Sequence, residues 1–270
     1  MFKKLVRLSF FLVFVLLSEI SLAEKLVWHD EFNYEGLPDS SKWNYETGYV
    51  RNKELQYYKA ASLDNSFVSN GVLTLRAIRH NDTRSMWNKF WGEEFIPITS
   101  ASLTTKGLSS WTYGRMEIRA KLPLGRGVWP AFWTLGENVS SIGWPKCGEI
   151  DVMEFVGSTP RQIHGGVHFY DYKLGKKSQL VPLKEEKLFT SSPDEFHIYG
   201  IEWDDKEIRF FFDGQQWKKF NISTAGNINN PFNKPHFIII NLAMGGAWAG
   251  TPSDELYPVD YIIDYVRVYQ

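Results

Sequence analysis

A single cysteine, Cys147, stands in the whole chain, so no internal disulfide braces it and no cysteine pair is available to hold zinc. Neither sign of charge dominates: 30 Lys and Arg face 31 Asp and Glu, which offers little attraction to nucleic acid or an anionic membrane. Long hydrophobic runs are missing too. The apolar stretch from Leu8 to Leu17 is too short to cross a bilayer. Beyond it no segment shows helical periodicity, and there is no repeat, low-complexity tract or Pro/Gly/Ser linker. These absences leave a chain that must be held by its core and perform chemistry with ordinary side chains.

The first residues are expected to be a leader. Lys3, Lys4 and Arg7 precede the apolar run, and Ser21-Leu22-Ala23 supplies a small-residue cleavage site. Cleavage after Ala23 removes three bases and Glu19, leaving 27 bases and 30 acids and a net charge of −3. Residues 1–23 are thus read as a signal peptide and 24–270 as one domain, secreted or periplasmic. With no disulfide available, stability has to come from the core and from any bound ion. Cys147 reads as a buried, inert thiol rather than a nucleophile, because the acids beside it would raise its pKa.

Period-2 alternation is the dominant pattern. From Tyr113 to Leu122, Met116, Ile118, Ala120 and Leu122 share one face, with Arg115, Glu117, Arg119 and Lys121 on the other. Gly71 to Ala77 alternates similarly. Phe196–Trp203, Glu207–Phe212 and Gln215–Phe220 are separated by Asp204-Asp205-Lys206 and Asp213-Gly214, which read as hairpin turns. The continuous apolar run Phe237–Leu242 reads as a central strand covered on both faces, and Tyr261–Tyr269 as another strand. Many short-spaced strands predict an all-β sandwich or jelly roll of two sheets, able to curve around a long cleft.

Aromatic residues make up 16% of the chain, with 11 tryptophans. Most will be core, but an excess over core needs suggests flat platforms on which sugar rings stack. The richest stretch is Gly148-Glu149-Ile150-Asp151-Val152-Met153-Glu154-Phe155. On a regular strand Glu149 and Asp151 share a face, and Glu154 points away. One bulge between Val152 and Met153 brings Glu154 back beside them. Three carboxylates on one surface then raise at least one pKa by mutual repulsion, and a protonated acid beside an ionised one suits glycosidic-bond cleavage. A solvated sheet face and a hard-cation site remain open on spacing alone. No Cys pair or His-rich spacing supports a transition metal.

In order along the chain stand Trp28-His29-Asp30-Glu31-Phe32, Asn52-Lys53-Glu54-Leu55-Gln56-Tyr57-Tyr58, Tyr113-Gly114-Arg115, Trp129-Pro130-Ala131-Phe132-Trp133, the acidic motif, Asn241-Leu242-Ala243-Met244-Gly245-Gly246, and Asp264 to Tyr269. Together they resemble glycoside hydrolase family 16, in particular its bacterial endo-β-1,3-glucanases, the laminarinases. The extra Met153 matches the bulged branch that also holds agarases and carrageenases. The resemblance implies a β-jelly-roll with catalysis on its concave sheet and retention of anomeric configuration. It implies Glu149 as nucleophile, Glu154 as general acid and base, and Asp151 as the residue between them. Trp129, Trp133 and Trp144 would line the substrate cleft, and Asn52 and Glu54 its non-reducing end. His168, in His164-Gly165-Gly166-Val167-His168, would lie near the acid/base. A structural Ca²⁺ would take the Glu31 and Gly71 carbonyls and Asp264; catalysis would need no cofactor. One departure is Ala247, where many laminarinases carry Asn after the Gly-Gly pair.

The expected partner is therefore a β-glucan polysaccharide, with no nucleic acid, no membrane after leader removal, and a monomeric chain. The alternatives are the same mechanism on mixed-linkage β-glucan or a galactan such as agar or carrageenan, and a non-catalytic glucan-binding module. Mild acidity argues against sulfated galactans, and the presence of all three acids argues against a binding module.

Overall fold

The computed structural model describes residues 24–80, 97–172, 192–226 and 229–270. The leader expected over residues 1–23 lies outside them. In chain order the strands are β1 Leu26–Asp30, β2 Asn44–Tyr45, β3 Tyr57–Tyr58, β4 Ser66–Ser69, β5 Val72–Arg79 and β6 Ile98–Ser100. Then come β7 Ser102–Thr104, β8 Gly114–Lys121, β9 Val128–Gly136, β10 Glu149–Phe155 and β11 Ile163–His168. The last are β12 His197–Trp203, β13 Glu207–Phe212, β14 Gln215–Asn221, β15 His236–Met244 and β16 Val259–Tyr269.

They form two sheets, a jelly-roll sandwich. An outer sheet runs β14-β13-β12-β8-β16-β5-β6-β3, with β1 beside β16 and β4 beside β5; an inner sheet runs β11-β10-β9-β15-β7-β2. One apolar core lies between them. Met116, Ile118 and Ala120 of β8 and Ile263, Val266 and Val268 of β16 meet Ile150, Phe155, Ile238 and Ile240 of the inner sheet. The alternation in β8 therefore has its expected cause, apolar residues inward and charges outward.

β15 is buried along its whole length, as its unbroken apolar run predicts. Its Ile238, Ile240, Leu242 and Met244 enter the main core, while Phe237 and Ile239 join Ala131 and Trp133 in a second cluster on the opposite face. The β13–β14 turn is tight because Asp213 and Gly214 adopt left-handed φ values of 46° and 76°. The β12–β13 turn is closed by Asp204 Oδ1, which accepts from the Lys206 and Glu207 amides at 2.8 and 2.9 Å. Two four-residue helices, Val139–Ile142 and Gly246–Ala249, sit at the rim of the inner sheet.

Candidate active site

β10 is where sequence order becomes chemistry. Against β9, Asp151 pairs with Trp133 and Met153 with Phe132, so Val152 is the extra residue of a bulge. Val152 and Met153 both turn into the core beside Ile150 and Phe155. The slip brings Glu154 onto the same face as Glu149 and Asp151, where all three line one cleft of about 460 Å³. Without it, Glu154 would be driven into the hydrophobic interior.

Indole donors hold the outer acids. Trp144 Nε1 donates to Glu149 Oε2 at 2.9 Å, and Trp129 Nε1 donates to Glu154 Oε1 at 3.1 Å. Burial pushes the Glu149 pKa well above the usual carboxylate range, reinforced by the charges of Asp151 and Glu154. Glu154 is pushed up by burial and then by the charge of Asp151, with a smaller contribution from Glu54; the Trp129 N–H pulls the other way. A carboxylic acid held neutral above its ordinary range is a proton donor in waiting.

Further across the cleft a hydrogen-bonded wall rises from a turn. Arg51 O accepts from Glu54 N at 3.1 Å, and Asn52 and Lys53 between them have φ of 54° and 53°. Two successive non-glycine residues in this region cost about 1 kcal/mol or more each, and such strain gathers where side chains must be aimed. Glu54 accepts from Asn52 Nδ2 at 3.2 Å, Gln56 Nε2 at 2.7 Å and Tyr58 Oη at 3.4 Å. Tyr58 Oη in turn accepts from Asn241 Nδ2 at 3.0 Å, and Asn241 Oδ1 accepts from Trp133 Nε1 at 2.7 Å. The Gly245-Gly246 pair seats this turn. A Cβ on Gly245 would lie 2.5 Å from the Leu55 side chain, and Gly246 beside it has a left-handed φ of 75° that favours glycine.

A sequence profile of the glycosyl hydrolases family 16 matches residues 53–267. The chain belongs to that family. It is 41% identical to the beta-glucanase of Rhodothermus marinus, over 99% of this chain and 96% of that protein. It is 37% identical to the glucan endo-1,3-beta-glucosidase A1 of Niallia circulans, over 91% of this chain but 38% of that longer protein. The X-ray structure of the laminarinase from Rhodothermus marinus superposes with a TM-score of 0.77 at 40% identity, covering 92% of this chain and 97% of that one.

All nine catalytic and substrate residues expected from the sequence line this one family 16 cleft. Two occupy it differently from expectation. His168 pairs across the ladder with Glu149, not Glu154, and its Nε2 lies 3.7 Å from Glu149 Oε1 and 3.4 Å from Asp151 Oδ2. It is His164 that stands opposite Glu154; the bulge that shifts Glu154 also shifts its partner. Trp133 is a nearly covered wall, 7% exposed, with the Arg51 guanidinium 4.8 Å from its ring centre. Trp144, 47% exposed, is the open platform.

Of the expected metal set, the two carboxylates already have partners in the protein. Asp264, expected to need a cation in an apolar strand, is ion-paired with Arg119, and the Glu31 carboxylate takes both Nε and Nη2 of Arg267 at 2.8 Å. The cost of an unpartnered carboxylate is thus already met by guanidinium groups. Among the described residues, the side chains grouped closely enough for a metal are Glu149, Asp151 and His168, with ligand atoms within 4.8 Å of one another. Burial and the Glu149 charge push the Cys147 thiol up to about 11, which fits an inert residue.

Sequence reasoning missed Arg51, Asn241 and Trp248 as cleft residues. Trp248 meets Trp129 edge-on at 5.0 Å and His164 at 4.7 Å, so it buttresses the indole that holds Glu154. Its position two residues after the Gly-Gly pair was the available signal.

Proposed function

We propose that this family 16 hydrolase is an endo-acting β-1,3-glucanase that cuts laminarin-like chains by double displacement, with retention. The observation that carries the reading is the bulged β10, which sets Glu149, Asp151 and Glu154 on one face among indoles. Glu149 attacks the anomeric carbon as the glycosidic C–O bond breaks, and Glu154 gives its proton to the leaving oxygen. Glu154 then takes a proton from water, which attacks the same carbon and releases Glu149. The division of roles follows the family resemblance, and one difference between the two acids accords with it. Both acids are buried, near the charge of Asp151 and held by an indole donor; Glu149 alone also has the His168 ring nitrogen, 3.7 Å away. Side chains alone carry both displacements. The likeness to a β-glucanase and to a laminarinase supports a β-glucan as substrate.

The reading includes export, with cleavage after Ala23, residence outside the cytoplasm as a monomer, and a single domain over residues 24–270. It also includes a structural Ca²⁺ on the Glu31 and Gly71 carbonyls and Asp264, for which Arg119 would compete. Reducing-sugar release from laminarin, lichenan and agarose tests the substrate. Internal cutting of laminarin with a β-configured first product is expected. Preference for agarose would sink the glucan reading, and silence across the panel would favour a binding module. An unchanged melting temperature in EDTA would remove the Ca²⁺.

A further inference from the structure

Arg51 is the cleft residue for which the proposed chemistry has no use. Its guanidinium lies over the Trp133 ring at 4.8 Å, and its Nη2 is ion-paired with Glu46. The other oxygen of Glu46 is held by Ser102 Oγ at 2.6 Å. Ring, carboxylate and strained turn together fix the plane of the guanidinium. Nη1 remains: it is buried, and among the described residues no group accepts from it. Arg51 nevertheless lines the cleft beside Asn52 and Glu54.

A fixed, charged N–H with no acceptor is costly until something supplies an oxygen, so a ligand that does so gains more than one that does not. The acceptor cannot profitably be an anion. Glu46 already balances the guanidinium charge, and the cleft beyond it holds Glu54, Asp151 and Glu154. A hydroxyl or ether oxygen of a neutral sugar fits.

We propose that Arg51 is a specificity-determining residue: Nη1 donates to an oxygen of the neutral sugar unit that lies over the Trp133 side of the cleft. Recognition there is by a directed hydrogen bond rather than by ring stacking, because the guanidinium lies over Trp133. This inference rests on the glucanase reading above and names how one unit of that substrate is read.

The test is the dependence of rate on chain length, using β-1,3-gluco-oligosaccharides of increasing size with the parent and with Arg51→Met, whose apolar stem still covers Trp133. In the parent, kcat/KM should rise in a step, about tenfold to a hundredfold, at the length whose added unit reaches Arg51. In R51M that step should vanish, mainly through KM, so that long and short chains converge. Arg51→Lys, which keeps the charge for Glu46 but not the planar fork, should also lack the step; it carries the test if R51M does not fold. A step retained in both variants, or an equal fall at every length, overturns the proposal. If the parent itself cuts none of the series, the glucanase reading fails first, and this inference falls with it.

Discussion

On the outer sheet most acids meet a guanidinium; Asp30 is the exception, paired with Lys42. Glu31 pairs with Arg267, Asp260 with Arg76, Asp264 with Arg119 and Glu117 with Arg115. In the cleft, Glu149, Asp151 and Glu154 have indole N–H groups and one histidine, and among the described residues no Arg or Lys stands within ion-pair distance of them. The consequence shows in the pKa values. Arg267 holds Glu31 below the ordinary carboxylate range, whereas burial and like charge push Glu149 and Glu154 above it. The same functional group is made a fixed anion on one surface and a reservoir of protons on the other. What differs is the partner: guanidinium groups pair with the outer acids, whereas neutral indole N–H groups hold Glu149 and Glu154.

The largest test of that contrast is removal of the acids. Glu149→Gln and Glu154→Gln should each cost several orders of magnitude in glucan hydrolysis while circular dichroism stays native, and Asp151→Asn should cost less. Near-normal turnover in Glu149→Gln would break the assignment of roles. Next comes the pH profile of Trp129→Phe. The indole N–H favours the ionised form of Glu154, so its loss should raise the Glu154 pKa and carry the alkaline limb of activity upward by up to about one unit. A limb that stayed put or moved down would show that Glu154 is not the titrating acid.

Stability offers a third test with a definite sign. A raised pKa means that the folded chain keeps a proton the unfolded chain has released, so Glu154 costs stability as pH rises from the ordinary glutamate range toward its raised value. Glu154→Gln should therefore melt a few degrees higher than the parent near neutral pH. The gain should fade as pH drops toward the ordinary glutamate range and disappear below it, where the acid is neutral in both states. The smallest effect is expected on the outer sheet. Arg267→Gln breaks a half-exposed pair and should cost about 0.2–1 kcal/mol in denaturant unfolding, with hydrolysis unchanged. A large fall in rate there would dissolve the distinction between the two surfaces.

Much of this was legible before any coordinates. β8, β12, β13, β15 and β16 declare themselves because each buries a full face or a full strand, and the three acids of β10 declare the bulge because the alternation has one residue too many. The short strands β2, β3, β6 and β7, of two or three residues, leave no periodicity to read; their neighbours in the sheet hold them. Arg51 was invisible for a related reason. A guanidinium and an indole from distant parts of the chain meet through tertiary packing, and neither one's local pattern announces the other. The histidines show a third limit. Spacing places His164 and His168 on one face, but which acid each one faces depends on a slip in the neighbouring strand.

Met153 lies wholly inside the core, away from the cleft, yet it is the residue that makes the bulge necessary. Its side chain is locked in the interior beside Val152, and that inward pair keeps the slip in place. Loss of this one codon would leave Glu149-Ile150-Asp151-Val152-Glu154, an unbroken alternation that a regular strand already presents on one face. The bulge and the extra residue therefore cancel, and a ribbon lacking both would carry the same three acids over the same trough.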